Sequence, residues 1–423
     1  MKVFKFGGAS IKDVAAIKNV AQIIQTYQDQ PLLVVVSALG KTTNALEDVL
    51  RAYYEQDAPL LKEKLNVVKK SHLQILEGLF KPTHPVYDEI NDIFVDLEWI
   101  LEETPVDTYG YLYDQIVSNG ELLSTQIVAA YFNKIGLHTT WLDVRDCIAT
   151  DNTYQEAEVD WELTYNNIQQ TVPPLLEQGI VLTQGFLGGT SENFTTTLGR
   201  EGSDYTAAIF SYCLDAESMS IWKDVSGVLT GDPRLFDNMT KLEQLSYGEA
   251  IEMTYYGAQV IHPKTIRPLQ NKQIPLHVKS FIDPSGSGTV IAQYEQLDYP
   301  PMLVVKPNQT LLKITSKDFY FVDEAKFAAL FTLFAKYRIK VNMTQNTALA
   351  FSVCVNANRA QVQLLAQEIE ADYSLETLEG LKLITLRYPN AATMERFDNG
   401  RVVYLEEKIR DTVQLVVDSE QVL

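Results

Sequence analysis

A three-layer α/β/α domain with a mainly parallel sheet, followed by a smaller α+β domain of ferredoxin-like order, is the fold class this 423-residue sequence predicts. Three observations carry it. Apolar runs with no polar face, above all Leu32-Leu33-Val34-Val35-Val36, read as strands covered on both sides. These runs alternate with segments whose apolar residues recur at three-four spacing, as in amphipathic helices. Between residues 281 and 307 the composition turns to Asp, Pro, Ser and Gly, ending near Pro300-Pro301, which marks a domain boundary. The expected domains are therefore residues 1–292, with a helical, lid-like insertion at about 45–130, and residues 308–423.

The elements follow in order. Residues 2–6 alternate into a strand that ends at Gly7-Gly8-Ala9-Ser10, and Val14, Ile17, Ala21 and Ile24 then set a helix. After the strand at 32–36, Ser37-Ala-Leu-Gly-Lys-Thr-Thr43 imitates the tail of a P-loop. That motif needs glycine five positions before Gly40, where Val35 stands inside the strand, so the loop keeps only its polar groups, Ser37, Thr43 and Asn44. A solvated turn is the plain alternative for it. Residues 45–103 are helical throughout, broken by Pro82 and Pro85, and their charges read as a solvated face. Gly120-Glu121 opens another helix, where a first-turn carboxylate is in general a dipole or capping partner. Strands follow at 137–143 and 179–184, with 172–176 part of the helix between them.

The stretch Thr195-Thr-Thr-Leu-Gly-Arg-Glu-Gly-Ser-Asp-Tyr-Thr-Ala-Ala208 stands between the strand at 179–186 and a helical segment at 205–214. Small residues at such a junction let backbone N–H groups meet an anion at a helix N-terminus. Arg200, Ser203 and Asp204 add a fixed cation, a hydroxyl and a carboxylate. A strand at 218–222 leads to Lys223-Asp224-Val-Ser-Gly-Val-Leu-Thr-Gly-Asp-Pro-Arg234, whose cations suit the phosphates of a nucleotide, with ion pairing to Asp224 and Asp232 as the alternative. A helix at 247–256, a helix starting at His262-Pro263 and a strand at 276–280 close the domain. The remainder reads strand 310–315, helix 324–337, strand 339–344, strand 348–355, helix 359–370 and strand 381–386, the split βαβ order. Alternation in 401–417 leaves room for one or two more strands.

Composition narrows the function classes. A hydrophobic content of 46% with 21% charged residues is that of an ordinary globular chain, and a formal charge of −20 disfavours nucleic acid or an anionic membrane as partner. Cys147, Cys213 and Cys354 are too scattered for a paired framework, which fits free thiols in a reducing compartment. The amino-terminal residues lack a signal-type apolar core, and no apolar run is long enough to span a bilayer, so a cytoplasmic protein is expected. The five histidines never take metal-ligand spacing, and no G-x-S-x-G elbow occurs.

Taken together, Lys5-Phe6-Gly7-Gly8-x-Ser10, Gly185-Phe186 with Thr195-Thr-Thr-Leu-Gly-Arg-x-Gly-Ser-Asp-Tyr-Thr-Ala, Trp222-Lys-Asp-Val-x-Gly-Val-x-Thr-x-Asp-Pro-Arg234 and Gly257-Ala-x-Val-x-His-Pro263 resemble the aspartate kinase branch of the amino acid kinase family. The resemblance covers residues 1 to about 290. It implies a carbamate kinase-like catalytic domain with an ACT-like tail, and transfer of the γ-phosphoryl of ATP, with Mg²⁺, to the β-carboxylate of L-aspartate. The product, 4-phospho-L-aspartate, opens the route to lysine, threonine and methionine. Another carboxylate acceptor, or a decayed amino-acid- or nucleotide-binding regulator, is the alternative.

By matching position the resemblance implies Lys5 and Asp204 as catalytic residues and Thr43, Glu121, Arg200 and Ser203 as the aspartate site. It implies Lys5, Phe6, Gly7, Gly8, Lys223, Asp224, Leu229, Arg234 and Gln259 around the nucleotide, and no protein-held metal. Leu229 and Gln259 stand where many members carry tyrosine and lysine, and Ala9 where threonine is common. The tail leaves about 35 residues after one βαββαβ unit, too few for a second complete one, and Ala325 and Asn342 stand where feedback sites often carry glycine and aspartate. The expectation is a tail that serves homodimerisation, with the lysine response lost or altered.

Overall fold

Strand β2 (Leu32–Val36) is buried at all five residues, as its unbroken apolar run requires. The computed structural model describes residues 1–258, 260–317, 323–398 and 402–419, which divide into two units. The first comprises Met1–Val228, Lys241–Ile251 and Ile261–Glu295, the second Leu229–Thr240, Glu252–Val260 and Gln296–Leu423. Two segments from inside the expected first domain thus pack with the second unit.

Around β2 the chain lays down β1 (Lys2–Phe6), α1 (Val14–Gln25), α2 (Thr42–Tyr54), α3 (Ala58–Leu79), α4 (Val86–Glu102), α5 (Tyr109–Val117), α6 (Asn119–Lys134), β3 (Thr139–Leu142), α7 (Trp161–Leu176) and β4 (Ile180–Gln184). There follow β5 (Leu187–Gly189), β6 (Thr195–Thr197), α8 (Gly202–Cys213), β7 (Ser218–Lys223), β8 (Gln244–Ser246), α9 (Tyr247–Tyr256), α10 (Pro263–Asn271), β9 (Leu276–Ser280) and β10 (Thr289–Ala292). Among the described residues the main sheet has eight strands in the order β3-β4-β2-β1-β7-β9-β10-β8. Only the β9–β10 pair is antiparallel.

Helices start where side chains can take up orphan N–H groups: Asp13, Asp57, Thr108 and Asp160 each accept from the backbone three residues on. The cap at Asp57, after Gln56 with φ of 57°, breaks the predicted continuous helix between α2 and α3. The helical insertion shares one apolar core with the sheet: Leu46, Val68, Leu76, Phe94 and Ile116 pack with Phe4, Val34 and Trp222. Each such side chain withdrawn from water contributes about 1.5–3 kcal/mol, which makes these helices a layer of the domain.

Four strands escaped the sequence reading. β5 and β6 form a hairpin of three-residue strands, so Thr195–Thr197 is paired backbone. β8 and β10 are also short, and β10 lies in the stretch read as a linker. Helix α8 begins at Gly202, ahead of the predicted 205, because Glu201 turns left-handed at φ 57° and starts it there.

The second unit holds β11 (Met302–Ser316), α11 (Glu324–Lys336), β12 (Lys340–Asn346), β13 (Ala350–Asn356), α12 (Arg359–Ile369), β14 (Tyr373–Arg387), α13 (Ala391–Asp398), β15 (Val403–Ile409) and β16 (Thr412–Asp418). Its described residues form one antiparallel sheet, β12-β13-β11-β14-β16-β15. β11 and β14 are both long, and register shifts between Lys306 and Leu311 divide their pairing in two. One half carries α11 and α12 over Leu312, Ile314, Phe334 and Val353. The other buries Ile384, Leu386, Phe397, Val413 and Leu415.

Each half therefore has the same order, two hairpin strands beside β11 and β14, and this corrects the expectation drawn from the number of tail residues. The second half completes its four strands by using residues 302–306, which precede the first. A count of residues after 386 could not include a strand lying ahead of the whole unit.

Candidate active site

Parallel strands β4, β2, β1 and β7 are neighbours, so the segments leaving their carboxyl ends converge: Gly185-Phe186, Ser37 to Gly40, Gly7-Gly8 and Lys223. The backbone ties them. Ser37 N donates to Phe6 O at 3.1 Å, Gly40 N to Gly8 O at 3.1 Å and Gly185 N to Val36 O at 2.9 Å. A Cβ on Gly8 would lie 2.6 Å from the Gly40 carbonyl oxygen and 2.8 Å from that of Ala38, so no other residue fits this crossing. A Cβ on Gly185 would come within 2.4 Å of the Ser203 Cβ, and the glycine lets the N-terminus of α8 close onto the strand end.

Three ionisable side chains meet here. Lys5 Nζ lies 2.6 Å from Asp204 Oδ1, with side chains 12% and 5% exposed. The contact is an ion pair without a well-directed hydrogen bond on Oδ1. Asp204 sits in the first turn of α8, where the helix dipole favours its charge. Glu121, in the first turn of α6, accepts from Ala38 N at 3.1 Å through Oε1, while its buried Oε2 has no hydrogen-bond partner among the described residues. Burial pushes the Glu121 carboxyl up to about 8, against the opposing pull of the Ala38 N–H and the Lys5 charge.

A desolvated ion pair contributes little net stability and is costly when broken. An unpartnered carboxylate oxygen is costlier still, and it calls for a cation or donor from a ligand. A cap reading alone does not account for Glu121, since Oε1 takes the N–H of Ala38 from another segment as well as a backbone contact within its own residue.

The remaining predicted aspartate-site residues lie at the N-terminal ends of α2 and α8. Ser203 is buried against Gly185, and Thr43 is half-buried in the first turn of α2. Arg200 is exposed and makes no ion pair among the described residues. Its loop is held at its far end, where His262 N donates to Glu201 Oε2 at 2.8 Å. A free guanidinium on a tethered loop is open to a carboxylate from solution.

The predicted nucleotide residues separate. Gly7 and Gly8 lie at the end of β1 beside Lys5, and Lys223 and Asp224 at the end of β7, half-buried and exposed respectively. The ring of Phe6 is fully buried, stacked on Trp222 at 5.8 Å, so that side chain belongs to the core and only its backbone faces the strand end. Leu229 and Arg234 pack within the second unit, where Arg234 forms a forked pair with Asp232 at 2.6–3.2 Å. That pair is the alternative already weighed for this loop. Gln259 lies outside the described residues.

No set of three or more His, Cys, Asp or Glu side chains that could hold a metal ion occurs among the described residues. Two contributors escaped the sequence reading: Ala38, whose role is a main-chain N–H that no residue type announces, and Asp114. The latter is fully buried on α5 and accepts from Thr197 Oγ1 at 2.6 Å and Thr197 N at 3.0 Å. A single aspartate in a helix rich in tyrosine carries no signal of this.

Crossing glycine loops, a buried Lys–Asp pair and a carboxylate oxygen without a partner among the described residues meet at the carboxyl edge of a parallel sheet, an arrangement suited to phosphoryl transfer to a small acid. The model of the amino acid kinase family matches residues 1–280, and the chain belongs to that family. Within the family its similarity is to aspartokinases. It is 31% identical over 395 residues to the lysine-sensitive aspartokinase 3 of Escherichia coli (strain K12), covering 91% of this chain and 86% of the relative. The crystal structure of E. coli aspartokinase III with aspartate and ADP, in the R-state, is similar with a TM-score of 0.83 at 29% identity, covering 99% of this chain and 96% of the other. The form with lysine and aspartate, in the T-state, gives 0.84 at 29% identity, covering 100% and 97%. No helix among the described residues is long and apolar enough to cross a membrane.

Proposed function

We propose that this chain is an ATP-dependent aspartate kinase, transferring the γ-phosphoryl group of ATP to the β-carboxylate of L-aspartate to give 4-phospho-L-aspartate and ADP. The observation that carries the reading is the buried Lys5–Asp204 pair beside the unpartnered Glu121 carboxylate. E. coli aspartokinase III, which binds aspartate and ADP, supports it.

The chemistry needs charge neutralisation and in-line positioning, because the acceptor carboxylate is already ionised at neutral pH and no protein base has to activate it. Lys5 neutralises charge on the β- and γ-phosphates, and the Gly7-Gly8 backbone lies against them. Asp204 holds Lys5 in place rather than taking a proton. Glu121 receives the substrate ammonium, Arg200 pairs bidentately with a substrate carboxylate, and Thr43 and Ser203 hydrogen-bond the amino acid. Lys223 and Asp224, at the end of β7, serve the nucleotide. Mg²⁺, held by the nucleotide's phosphates and waters rather than by a cluster of protein carboxylates, would supply further charge neutralisation when bound.

The same reading takes the protein as cytoplasmic, consistent with three buried free cysteines, and as a homodimer through its C-terminal unit. A coupled ADP assay with aspartate, glutamate and N-acetylglutamate side by side tests the acceptor: turnover with aspartate alone is expected, and turnover with another acceptor alone would overturn the reading. Light scattering on the full chain tests the dimer.

A further inference from the structure

Asp114 stands outside the proposed chemistry, yet it is fully buried in the catalytic unit and accepts from three donors on two other segments. Its two oxygens receive Thr197 Oγ1 at 2.6 Å, Thr197 N at 3.0 Å and Gln155 N at 3.1 and 3.2 Å. The two segments it grips are bonded to each other as well, since Ala157 N donates to Thr197 O at 2.9 Å. The neighbouring Gln115 Nε2 donates to Thr195 O at 2.8 Å, so one turn of α5 holds both ends of β6.

Immediately above this clamp lies the Arg200 loop. Four residues, 198 to 201, separate Thr197 from the first residue of α8. A Cβ on Gly199 would sit 3.2 Å from Gln155 O and 3.0 Å from Glu156 Cγ, so the loop rests directly on the second gripped segment. Leu198 N donates to Phe186 O at 2.8 Å and Gly202 N to Gly199 O at 3.0 Å. Three non-glycine residues here hold left-handed backbone, Gln155, Phe186 and Glu201, at φ of 72°, 73° and 57°. Such conformations persist where surrounding contacts over-determine them.

We infer that Asp114 is a positioning residue for the acceptor site: by gripping Thr197 and Gln155 together it sets the seat of the Gly199–Glu201 loop and thereby the place of the Arg200 guanidinium. A carboxylate, being acceptor-only, takes all three donors in the geometry seen, whereas an amide keeps the two backbone N–H bonds only by crowding both onto its oxygen and reversing the bond to Thr197 Oγ1. Burial pushes the Asp114 carboxyl up to about 6 even with these bonds in place, so the residue is an expensive choice for packing alone. The inference rests on the reading of Arg200 as the substrate-carboxylate ligand.

The test uses the full chain, with steady-state kinetics on Asp114→Asn, Thr197→Val, Arg200→Ala and the double variant D114N/R200A. A misplacement of about 1 Å can cost on the order of a hundredfold, so D114N is expected to raise the aspartate KM at least about tenfold while the ATP KM stays within about twofold. T197V, which removes one of the three donors, moves the aspartate KM in the same direction by less. Because Asp114 acts through Arg200, the double variant should bind aspartate no worse than R200A alone.

Equal changes in both KM values, or additive losses in the double variant, would show a merely structural role and overturn the inference. If D114N does not fold, T197V with T197V/R200A decides the same question by the same two criteria. An unchanged aspartate KM in R200A overturns the acceptor-site reading itself, and the inference with it. An R200A effect with no effect of D114N or T197V overturns the inference alone.

Discussion

Replacing Glu121 by glutamine keeps the shape of a fully enclosed side chain and removes its titration. In the native protein Oε1 accepts from Ala38 N at 3.1 Å and Oε2 is buried without a partner, and burial moves the carboxyl from its usual 4.5 to about 8. A raised carboxyl pKa means that the folded state keeps a proton the unfolded chain has lost. The resulting stability is therefore fully present below pH 4.5 and disappears as pH rises through about 8. Between pH 4.5 and 7 the loss is about 3 kcal/mol, at roughly 1.4 kcal/mol per pH unit. Glutamine is neutral throughout, so the variant should match the native protein near pH 5 and exceed its Tm by on the order of 5 °C at pH 8. Thermal unfolding at the two pH values measures this. A Tm difference between E121Q and the native chain that is the same at pH 5 and pH 8 would refute the reasoning. On the proposed function, aspartate binding at pH 7 should also release close to one proton, as the substrate ammonium makes the carboxylate ionise, and calorimetry in buffers of different protonation enthalpy counts it.

Other outcomes follow from the same geometry. Lys5→Ala removes the partner of transferring charge and should lower kcat at least about a hundredfold with little change in aspartate KM, read in the coupled ADP assay. His72 is buried, its ring edge-on to Phe94 and its Nδ1–H donating to Val68 O, and burial lowers its pKa. A depressed histidine contributes stability above pH 6.5 that is lost as pH falls, so His72→Leu should flatten the decline of Tm between pH 6.5 and 5. Asn342 is buried with its oxygen taken by Lys306 Nζ at 3.0 Å and its amide by Gln309 Oε1 at 2.7 Å. With that position neutral and filled, millimolar L-lysine is expected to leave the kinase rate unchanged, and strong inhibition in the same assay would reverse the expectation.

Much of the fold was legible because its signals are local. β2 advertises its double burial in five consecutive aliphatic residues, and α11 and α12 open at Asp323 and Asn358, side chains that accept the orphan N–H groups of a helix start. The short strands β5, β6, β8 and β10 have three or four residues each, too few to show a period, and their pairing is decided by distant partners. The second half of the C-terminal sheet was hidden for a topological reason, since its fourth strand precedes the rest of the unit in sequence.

For the site, residue types singled out Arg200, Ser203 and Asp204 as a cation, a hydroxyl and a carboxylate at a helix start, and the family resemblance added Lys5 and Glu121. Sequence alone left Glu121 as a plausible helix cap, and only the tertiary structure shows its Oε1 on the Ala38 N–H and its Oε2 without a partner. It likewise sent Phe6 into the core against Trp222 and paired Arg234 with Asp232. The division has one cause: propensity, periodicity and charge are properties of neighbouring residues. Whether a buried polar group is satisfied depends on what the fold carries to it from 83 positions away, as between Ala38 and Glu121 or Asp114 and Thr197.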